Sequence, residues 1–211
     1  MSCELVLPLV VRIERTEPPS RSDALEAAAI GVLRILSSDR ADWAPALSAW
    51  DGQRIRKVVR RARGADWRRA VAVDGLDVEH GSAQLRVYPP VPVDGWPGEL
   101  ARLQAGGTNL EQPEVPPPVP AGTPLVLLAP DVEMSTGKAM AQAAHAAQLG
   151  WRDIGSRRRR QWAEAGFPLA VRDASQAEWT AAVRRGAPVV HDGGFTEVAP
   201  GTATALFTVA R

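Results

Sequence analysis

The chain has 211 residues, of which 45% are hydrophobic and 23% charged, a composition typical of a soluble globular protein with one large domain or two small ones. The formal net charge of +1 means that any contact with nucleic acid has to come from local basic patches. The single cysteine, Cys3, excludes an intramolecular disulfide. Because the start of the chain lacks the features of a signal peptide and no apolar run has membrane-spanning length, we expect a cytoplasmic protein that does not enter a membrane.

The first half of the chain shows two clear elements and then a change of composition. The apolar run Leu5 to Ile13 predicts a strand, and an Ala- and Leu-rich segment from Asp23 to about Leu36 predicts a helix. The basic segment Arg54 to Arg63 is interrupted by apolar residues, so part of it is expected to pack inward. Prolines are dense over residues 110–122, which favours an extended linker and excludes a helix. We therefore place a domain boundary in that linker.

The second half alternates strands and helices. The run Leu125 to Leu128 is short, apolar and ended by Pro130, which predicts a buried strand over 125–129. Ser135 or Thr136 can cap an Ala-rich helix over 137–149. The remaining predicted elements are strands 167–172, 187–191 and 203–209 and helix 175–185. This alternation predicts a small three-layer α/β sandwich whose sheet is mostly parallel, although the last strand can be antiparallel at an edge.

The two halves also resemble each other weakly. Three of the matching segments, which follow the same order in both halves, are Pro8-Leu-Val-Val with Pro124-Leu-Val-Leu, Trp50 with Trp162, and Gly81-Ser-Ala with Gly201-Thr-Ala. We interpret the halves as two tandem copies of one α/β unit. The alternative is that the first half is an unrelated small α/β domain.

One helix of the second copy carries an unusual set of polar residues. Lys138, Gln142 and His145 are spaced i, i+4 and i+7 and share one face, with Lys138 in the first turn, where the helix dipole disfavours a cation. The chain has 25 lysines and arginines, but only Lys57 and Lys138 are lysines, which indicates that an ammonium is needed at position 138. His145 alone is read more simply as a packing residue.

The motifs of the second copy resemble a known family. They are Asp131, Met134, Gly137-Lys138, Ala141-Gln142 and His145-Ala146, followed by the segment 192–204, which reads Asp-Gly-Gly-Phe-Thr-Glu-Val-Ala-Pro-Gly-Thr-Ala-Thr. This pair of motifs is similar to the two signatures of the archaeal and eukaryotic type of peptidyl-tRNA hydrolase. The resemblance covers roughly residues 123–211. The chain departs from the family pattern at Ala129, Gly193, Phe195 and Glu197, where the family usually has Arg, Ala, Arg and Gln.

The resemblance implies a division of the chain into three parts. Residues 123–211 are the expected catalytic domain, residues 110–122 the linker, and residues 1–109 a degenerate copy without site residues, since Ser22, Glu26 and Ala29 stand at the positions of Lys138, Gln142 and His145. Family members commonly form homodimers. A fused copy can supply the second half within one chain, so we expect two tandem α/β sandwiches arranged as a pseudo-dimer that remains a monomer.

The implied reaction is hydrolysis of the ester between a peptide and the terminal ribose of tRNA, with tRNA as the partner. Ligands of open α/β sheets bind where the strands end, so Lys138 and Asp192 can meet if strands 125–129 and 187–191 are parallel neighbours. Asp192 then orients the attacking water, Lys138 stabilises the oxyanion or the ribose-phosphate end, and Thr196 holds water or substrate. An ammonium makes a nearby carboxylate a weaker base, which favours positioning over strong base catalysis.

Other residues are predicted to contact the substrate. They are Gly137, Gln142, His145, Gly193, Gly194, Glu197, Thr202, Arg157 and Arg158, the last two as phosphate ligands or as part of a solvated helix face. No cluster of metal ligands and no cofactor-binding motif occurs in the sequence, so no metal and no cofactor are expected. Two alternatives stay open. One is a non-catalytic RNA-binding or interaction module on the same fold, and the other is hydrolysis of a different acyl ester or amide.

Overall fold

The computed structural model describes residues 4–211, and Cys3 lies outside them. The elements of the first half are β1 Leu5–Arg12, α1 Arg21–Leu36, α2 Ala44–Asp51, β2 Lys57–Ala62, α3 Gly64–Ala72, β3 Leu76–His80, β4 Ala83–Val87, β5 Val91–Pro92, α4 Gly98–Ala101 and β6 Gln104–Ala105. The helix α1 is capped by Ser20, whose hydroxyl accepts a hydrogen bond from the backbone N–H of Asp23 at 3.2 Å. The strand and the helix predicted from the apolar pattern are thus both present.

The elements of the second half are β7 Pro124–Leu128, α5 Thr136–Asp153, α6 Ser156–Glu164, β8 Ala170–Asp173, α7 Gln176–Arg184, β9 Val189–His191 and β10 Ala203–Val209. Each predicted element is present, although α5 continues four residues beyond the predicted end at 149. The basic segment that follows α5 forms a further helix, α6, which the sequence had not resolved as one.

The strands form two mixed sheets, which confirms the α/β class. The order in the first sheet is β3-β4-β1-β2-β6, with β5 paired to β1, and the order in the second is β8-β7-β10-β9. Only the pairs β1 with β2 and β7 with β8 are parallel, and the other pairs within residues 4–211 are antiparallel. The prediction of mostly parallel sheets was therefore wrong. Consecutive strands can pair in parallel only if a crossover connects them. No helix lies between β3 and β4 in the first half or between β9 and β10 in the second, and these strands pair antiparallel.

The position of the last strand also differs from the prediction. Strand β10 is antiparallel as anticipated, but it lies inside the sheet between β7 and β9 instead of at an edge. Strands β7 and β9 are consequently parallel to each other without being neighbours. Helix α5 nonetheless reaches both of them, because it packs across β7, β10 and β9.

The two halves present their elements in the same order. In each half the first strand pairs in parallel with the second and antiparallel with the fourth, and the third strand pairs antiparallel with the fourth. The corresponding strand orders are β3-β4-β1-β2 and β9-β10-β7-β8. Helices α1 and α5 follow the first strands, and α3 and α7 follow the second ones.

One apolar core is shared by both halves. Helix α1 covers the inner face of the first sheet, α5 covers that of the second, and the two helices pack against each other. Smaller clusters lie on the outer faces, where α3 and α4 cover the first sheet and α7 covers the second. The sides of the shared core also include Trp50 of α2 and Trp162 of α6. Within residues 4–211, no helix has both the length and the apolar character needed to cross a membrane.

The proline-rich connection between the halves is anchored at both central helices. The carbonyl oxygen of Thr108 accepts a hydrogen bond from Gly137 N–H (3.1 Å), and the N–H of Leu110 donates to Thr136 Oγ1 (2.9 Å), at the start of α5. The carbonyl oxygen of Glu111 accepts from Arg21 N–H (2.9 Å) at the start of α1. The connection therefore crosses the N-termini of both helices before it reaches β7.

Candidate active site

The first turn of α5 is fixed by a cap that also involves the loop after β9. The hydroxyl oxygen of Ser135 accepts a hydrogen bond from Lys138 N–H at 3.2 Å, as expected of an N-cap residue. The same residue donates from its N–H (2.8 Å) and its hydroxyl (2.6 Å) to the carboxylate of Glu197. A carboxylate is favoured at a helix N-terminus, so Glu197 joins the loop after β9 to the start of α5.

Asp192 follows β9 directly, and both its backbone N–H and its backbone carbonyl oxygen make hydrogen bonds. Its N–H donates to the carbonyl oxygen of Thr202 (2.9 Å), and its own carbonyl oxygen accepts from Gly201 N–H (2.7 Å). The hydroxyl of Thr202 donates to the carbonyl oxygen of Ala199 within the same loop (2.7 Å). Thr202 thus supports the site through the backbone.

Lys138, Asp192 and Thr196 lie together, although β7 and β9 are not the neighbouring strands that the prediction assumed. The ammonium of Lys138 donates to Asp192 Oδ2 at 2.5 Å and to Thr196 Oγ1 at 2.9 Å. The ion pair is well shielded, since the side chain of Lys138 is 10% exposed and that of Asp192 is 6% exposed. The unusual cation in the first turn of α5 therefore has a carboxylate partner.

Gln142 completes the environment of the Asp192 carboxylate. Its amide nitrogen donates to Asp192 Oδ2 at 2.7 Å, while its amide oxygen accepts from the hydroxyl of Thr204 at 2.6 Å. Thr204 is fully buried in β10 and fixes which end of the Gln142 amide faces Asp192. Sequence reasoning missed Thr204 because an inward-facing threonine in a strand looks like an ordinary β-branched sheet residue.

The two glycines after Asp192 have different roles. The N–H of Gly194 donates to Asp192 Oδ1 at 2.8 Å, with a φ angle of +75° that L residues rarely adopt. A Cβ atom at Gly194 would also lie 2.3 Å from the ring of Pro200, and one at Gly193 would lie 2.7 Å from the ring of Phe195. The loop therefore requires small residues here, as anticipated from the two glycines.

A cleft of about 570 Å³ opens beside these residues, and both halves of the chain line it. From the second half the lining includes Gly137, Lys138, Gln142, His145, Asp192, Gly193, Thr196 and Glu197. From the first half it includes residues 54–59, 105 and 106. The sequence-based prediction leaves the first half without site residues, whereas the structure places these segments in the wall of the cleft.

At the mouth of the cleft, Phe195 is 53% exposed and lies beneath the guanidinium of Arg56 from the first half, 4.7 Å from the ring centroid. This is a cation–π contact between the two halves.

His145 lies deeper in the cleft and contacts the other lysine of the chain. Its Nδ1 lies 3.1 Å from the Nζ of Lys57, whose ammonium also lies 2.6 Å from Gln148 Oε1. Burial and the nearby positive charges of Lys57, Lys138 and Arg152 lower the pKa of His145 well below 6.5. The simpler reading of His145 as a packing residue therefore leaves out a polar contact. Lys57 was missed as a site residue, although the scarcity of lysine was a signal for it.

Two predicted phosphate ligands lie elsewhere. Arg157 and Arg158 are exposed in the first turns of α6 and do not line the cleft. They are solvent-facing, which leaves them accessible to a large substrate.

One group of potential metal ligands occurs within residues 4–211, formed by Asp23, Glu26 and His80 of the first half. The atoms that could bind a metal already make hydrogen bonds, because the carboxylate of Glu26 accepts from His80 Nε2 (2.7 Å) and from Arg172 Nη1 (2.7 Å). A guanidinium inside the group neutralises charge that a divalent cation would need. The group is therefore described better as an ion-pair network between the halves.

The matched region and the site coincide when the chain is compared with known protein families. Residues 125–209 match the family model described as peptidyl-tRNA hydrolase PTH2. The matched segment contains Lys138, Gln142, Asp192, Thr196 and Thr204, which are the side chains gathered around the carboxylate.

Proposed function

We propose that this chain, whose residues 125–209 match the peptidyl-tRNA hydrolase PTH2 family model, hydrolyses the ester between a peptide and the 3′-terminal ribose of tRNA. The observation that carries the proposal is the carboxylate of Asp192, which is held by Lys138, Gln142 and Gly194 N–H beside an open cleft. Positioned donors and a fixed carboxylate are what ester hydrolysis by water requires.

The hydrogen bonds suggest a role for each group. Oδ2 of Asp192 takes two donors and Oδ1 takes one, so Oδ1 retains a lone pair that can orient the attacking water. Lys138 uses two of its three N–H groups on Asp192 and Thr196, and the third can stabilise the oxyanion or the ribose-phosphate end. Thr196 then holds water or substrate. In this proposal Asp192 works by positioning more than as a strong base.

The peptide and the tRNA of the proposed substrate have separate candidate contact regions. The inner wall of the cleft includes the apolar side chains of Val59, Leu149 and Val190, which can accept peptide side chains of different shapes. Arg157 and Arg158 are proposed as contacts for tRNA phosphates outside the cleft, since guanidinium groups bind phosphate bidentately. These contacts do not read sequence, as is appropriate for an enzyme that acts on many tRNAs.

We also propose that residues 1–109 are a degenerate copy of the domain at 123–211, joined by the linker 110–122. The shared order and direction of the strands support this proposal, as does the packing of α1 against α5. The contacts between the halves are reciprocal, because α5 contacts β2 while α1 contacts β8. Such a pseudo-dimer would act as a monomer in solution.

The first experiment measures release of labelled peptide from N-blocked aminoacyl-tRNA by the purified protein. Lys138→Ala and Asp192→Asn should each lower kcat by about 10² or more, as expected when a charged group acts at the transition state. Asp153→Asn is the matched control for Asp192→Asn, because Asp153 is an exposed carboxylate at the far end of α5. Near-normal turnover in folded Asp192→Asn protein would contradict the proposal.

The alternatives correspond to other results of the same assay. Binding of tRNA without turnover in the wild type indicates the non-catalytic module, and turnover of simpler acyl esters alone indicates a different hydrolase. Glu197 adds negative charge near an anionic substrate, which by itself would favour these alternatives. Its carboxylate is engaged by Ser135 at the start of α5, which weakens that argument.

A further inference from the structure

We propose that Lys57 of the first half is a positioning residue for His145: its ammonium donates to Nδ1, so that the neutral ring carries its proton on Nε2 and offers that proton to the cleft. The position of the proton is a property of the free protein. Its use as a donor to the substrate carbonyl oxygen rests on the function proposed above.

The surroundings of Lys57 Nζ match an ammonium group. Lys57 is 7% exposed, and its Nζ lies within hydrogen-bond distance of three acceptors, namely Ile55 O (3.3 Å), His145 Nδ1 (3.1 Å) and Gln148 Oε1 (2.6 Å). An ammonium has three N–H groups and no lone pair, so it can satisfy all three acceptors. The ring of Trp50 lies 4.8 Å from the same nitrogen and adds a cation–π contact.

Gln148 presents its oxygen to Lys57 because its nitrogen is engaged elsewhere. Gln148 Nε2 donates to Asp51 Oδ1 at 2.6 Å, and the same carboxylate oxygen accepts from Arg152 at 2.5 Å. The amide therefore cannot turn without losing a bond to a carboxylate. The result is a continuous network from Arg152 through Asp51, Gln148 and Lys57 to His145, and it crosses between the two halves.

The state of His145 follows from its neighbours. Burial and the charges of Lys57, Lys138 and Arg152 lower its pKa, so the ring is neutral at neutral pH and has a single proton. Burial also lowers the pKa of Lys57 well below 10.5. A neutral amine at Lys57 would reverse the bond, because it would accept from Nδ1–H and remove the proton from Nε2. The three acceptors and the aromatic face favour the ammonium.

Nε2 is left free to act on a ligand. Within residues 4–211 it has no hydrogen-bond partner, and His145 lines the same cleft as Lys138 and Asp192. A neutral imidazole N–H in a partly enclosed site is a suitable donor to a developing oxyanion. The first half is then more than a scaffold, because it determines which ring nitrogen of His145 faces the substrate.

The direct test is nitrogen NMR of the full chain labelled with ¹⁵N-histidine, with the His145 signals assigned by their loss in His145→Gln. In the wild type we expect a protonated Nε2 and an unprotonated Nδ1. In Lys57→Met the ring should change to a mixture of both tautomers. Arg54→Met is the matched control, since it removes a charge from the same wall at an exposed position, and it should leave the His145 signals unchanged.

The proposal is overturned if the wild-type ring carries its proton on Nδ1, or if Lys57→Met leaves the His145 signals unchanged. The first result needs no variant, so it can be obtained even if Lys57→Met does not fold. Because NMR does not depend on turnover, it separates this inference from the proposed function, which fails if the wild type releases no peptide.

The kinetic readout is a double-mutant cycle between Lys57 and His145. Lys57→Met should lower kcat about tenfold with little change in KM, as expected when a transition-state contact weakens. In a His145→Gln background the same substitution should have almost no further effect. Equal losses in both backgrounds would mean that Lys57 acts without His145, which contradicts the proposal.

Discussion

At the scale of single residues, the site depends on one carboxylate with three donors. The carboxylate of Asp192 accepts hydrogen bonds from Lys138, Gln142 and Gly194 N–H. These donors lie in the first turn of α5, the second turn of α5 and the loop after β9, respectively. The orientation of Gln142 depends in turn on the buried hydroxyl of Thr204. Buried polar groups of this kind are costly to leave unpaired, so the network should respond strongly to loss of one member.

Thr204→Val tests this network at a residue that does not touch the substrate. The substitution leaves Gln142 Oε1 without its donor and allows the amide to turn its oxygen towards Asp192. We expect kcat for peptide release to fall about tenfold while KM changes little, because Asp192 is less well positioned. Thr208→Val, the same change in the same strand, is the control. Unaltered kcat in Thr204→Val would show that Gln142 needs no such support.

The site residues predicted from the sequence lie in recognisable local motifs, whereas the site residues that were missed are defined by their tertiary contacts. Helical spacing placed Lys138 and Gln142 on one face, and the second motif supplied Asp192 and Thr196. Thr204 contacts Gln142 because of the sheet register, and Lys57 contacts His145 because of the packing of the halves. Neither feature can be read from local spacing, so no local pattern identified these two residues.

At the scale of elements, α5 lies unusually close to the sheet beneath it. Gly150 faces Phe207 of β10, and a Cβ atom at this position would lie 2.3 Å from the aromatic ring. The ring is part of an aromatic cluster with Trp162 and packs in the shared core. This close approach sets the distance between α5 and β10, and so the position of Gln142 relative to Thr204.

Gly150→Ala should therefore destabilise the protein, even though alanine favours helix formation by about 1 kcal/mol. Overpacking a core of this kind costs about 1–3 kcal/mol, so after the gain in helix propensity we expect a net loss of about 1 kcal/mol in the free energy of unfolding, measured by urea denaturation. Gly155→Ala is the control, because a Cβ atom there meets nothing within 4 Å and the φ angle is −67°. An equal effect of both substitutions would contradict the packing argument.

The existence of the elements was predictable from the sequence, whereas the strand order was only partly so. Apolar runs and caps identified β7, α5, β8, α7, β9 and β10 to within a few residues. The rule that strand-helix alternation gives parallel strands holds for the directions of β7, β8 and β9, but β9 pairs with neither of the other two. After α7, β9 and β10 follow each other through the loop 192–202, and an antiparallel β10 between β7 and β9 satisfies the hydrogen bonds of both strands.

At the scale of the whole molecule, the halves are joined by a shared core and by a charged network at Glu26. Glu26 of α1 accepts from His80 Nε2 (2.7 Å) in the first half, and from Arg172 Nη1 (2.7 Å) and Val171 N–H (3.1 Å) in the second. Glu26 stands at the position that the sequence alignment equates with Gln142. The alignment predicted that the first half lacks the site residues at this position. It could not predict that Glu26 would bind residues of the second half, because those contacts depend on how the halves pack.

This network should make stability depend on pH. The hydrogen bond to Glu26 raises the pKa of His80 above 6.5, so the stabilisation from protonated His80 is fully present below pH 6.5 and is lost as pH rises through its folded pKa. Burial raises the pKa of Glu26, but the hydrogen bonds from His80, Val171 and Arg172 outweigh it and bring the value below 4.5. The contribution of Glu26 is therefore present above pH 4.5, and the pair is strongest between these two values.

His80→Gln should consequently destabilise the protein more at pH 5.5 than at pH 9. We expect a difference in the free energy of unfolding of about 1 kcal/mol at pH 5.5, smaller than for a fully buried charged hydrogen bond because 33% of the His80 side chain is exposed. The difference should shrink towards pH 9, because the stabilisation is lost as pH rises through the raised pKa of His80. Urea denaturation across this range measures it, with His191→Gln as the control, since the ring of His191 contacts a backbone carbonyl instead of a carboxylate. A loss for His80→Gln that is constant with pH, or larger at pH 9, would show that the charge of His80 does not stabilise the network around Glu26.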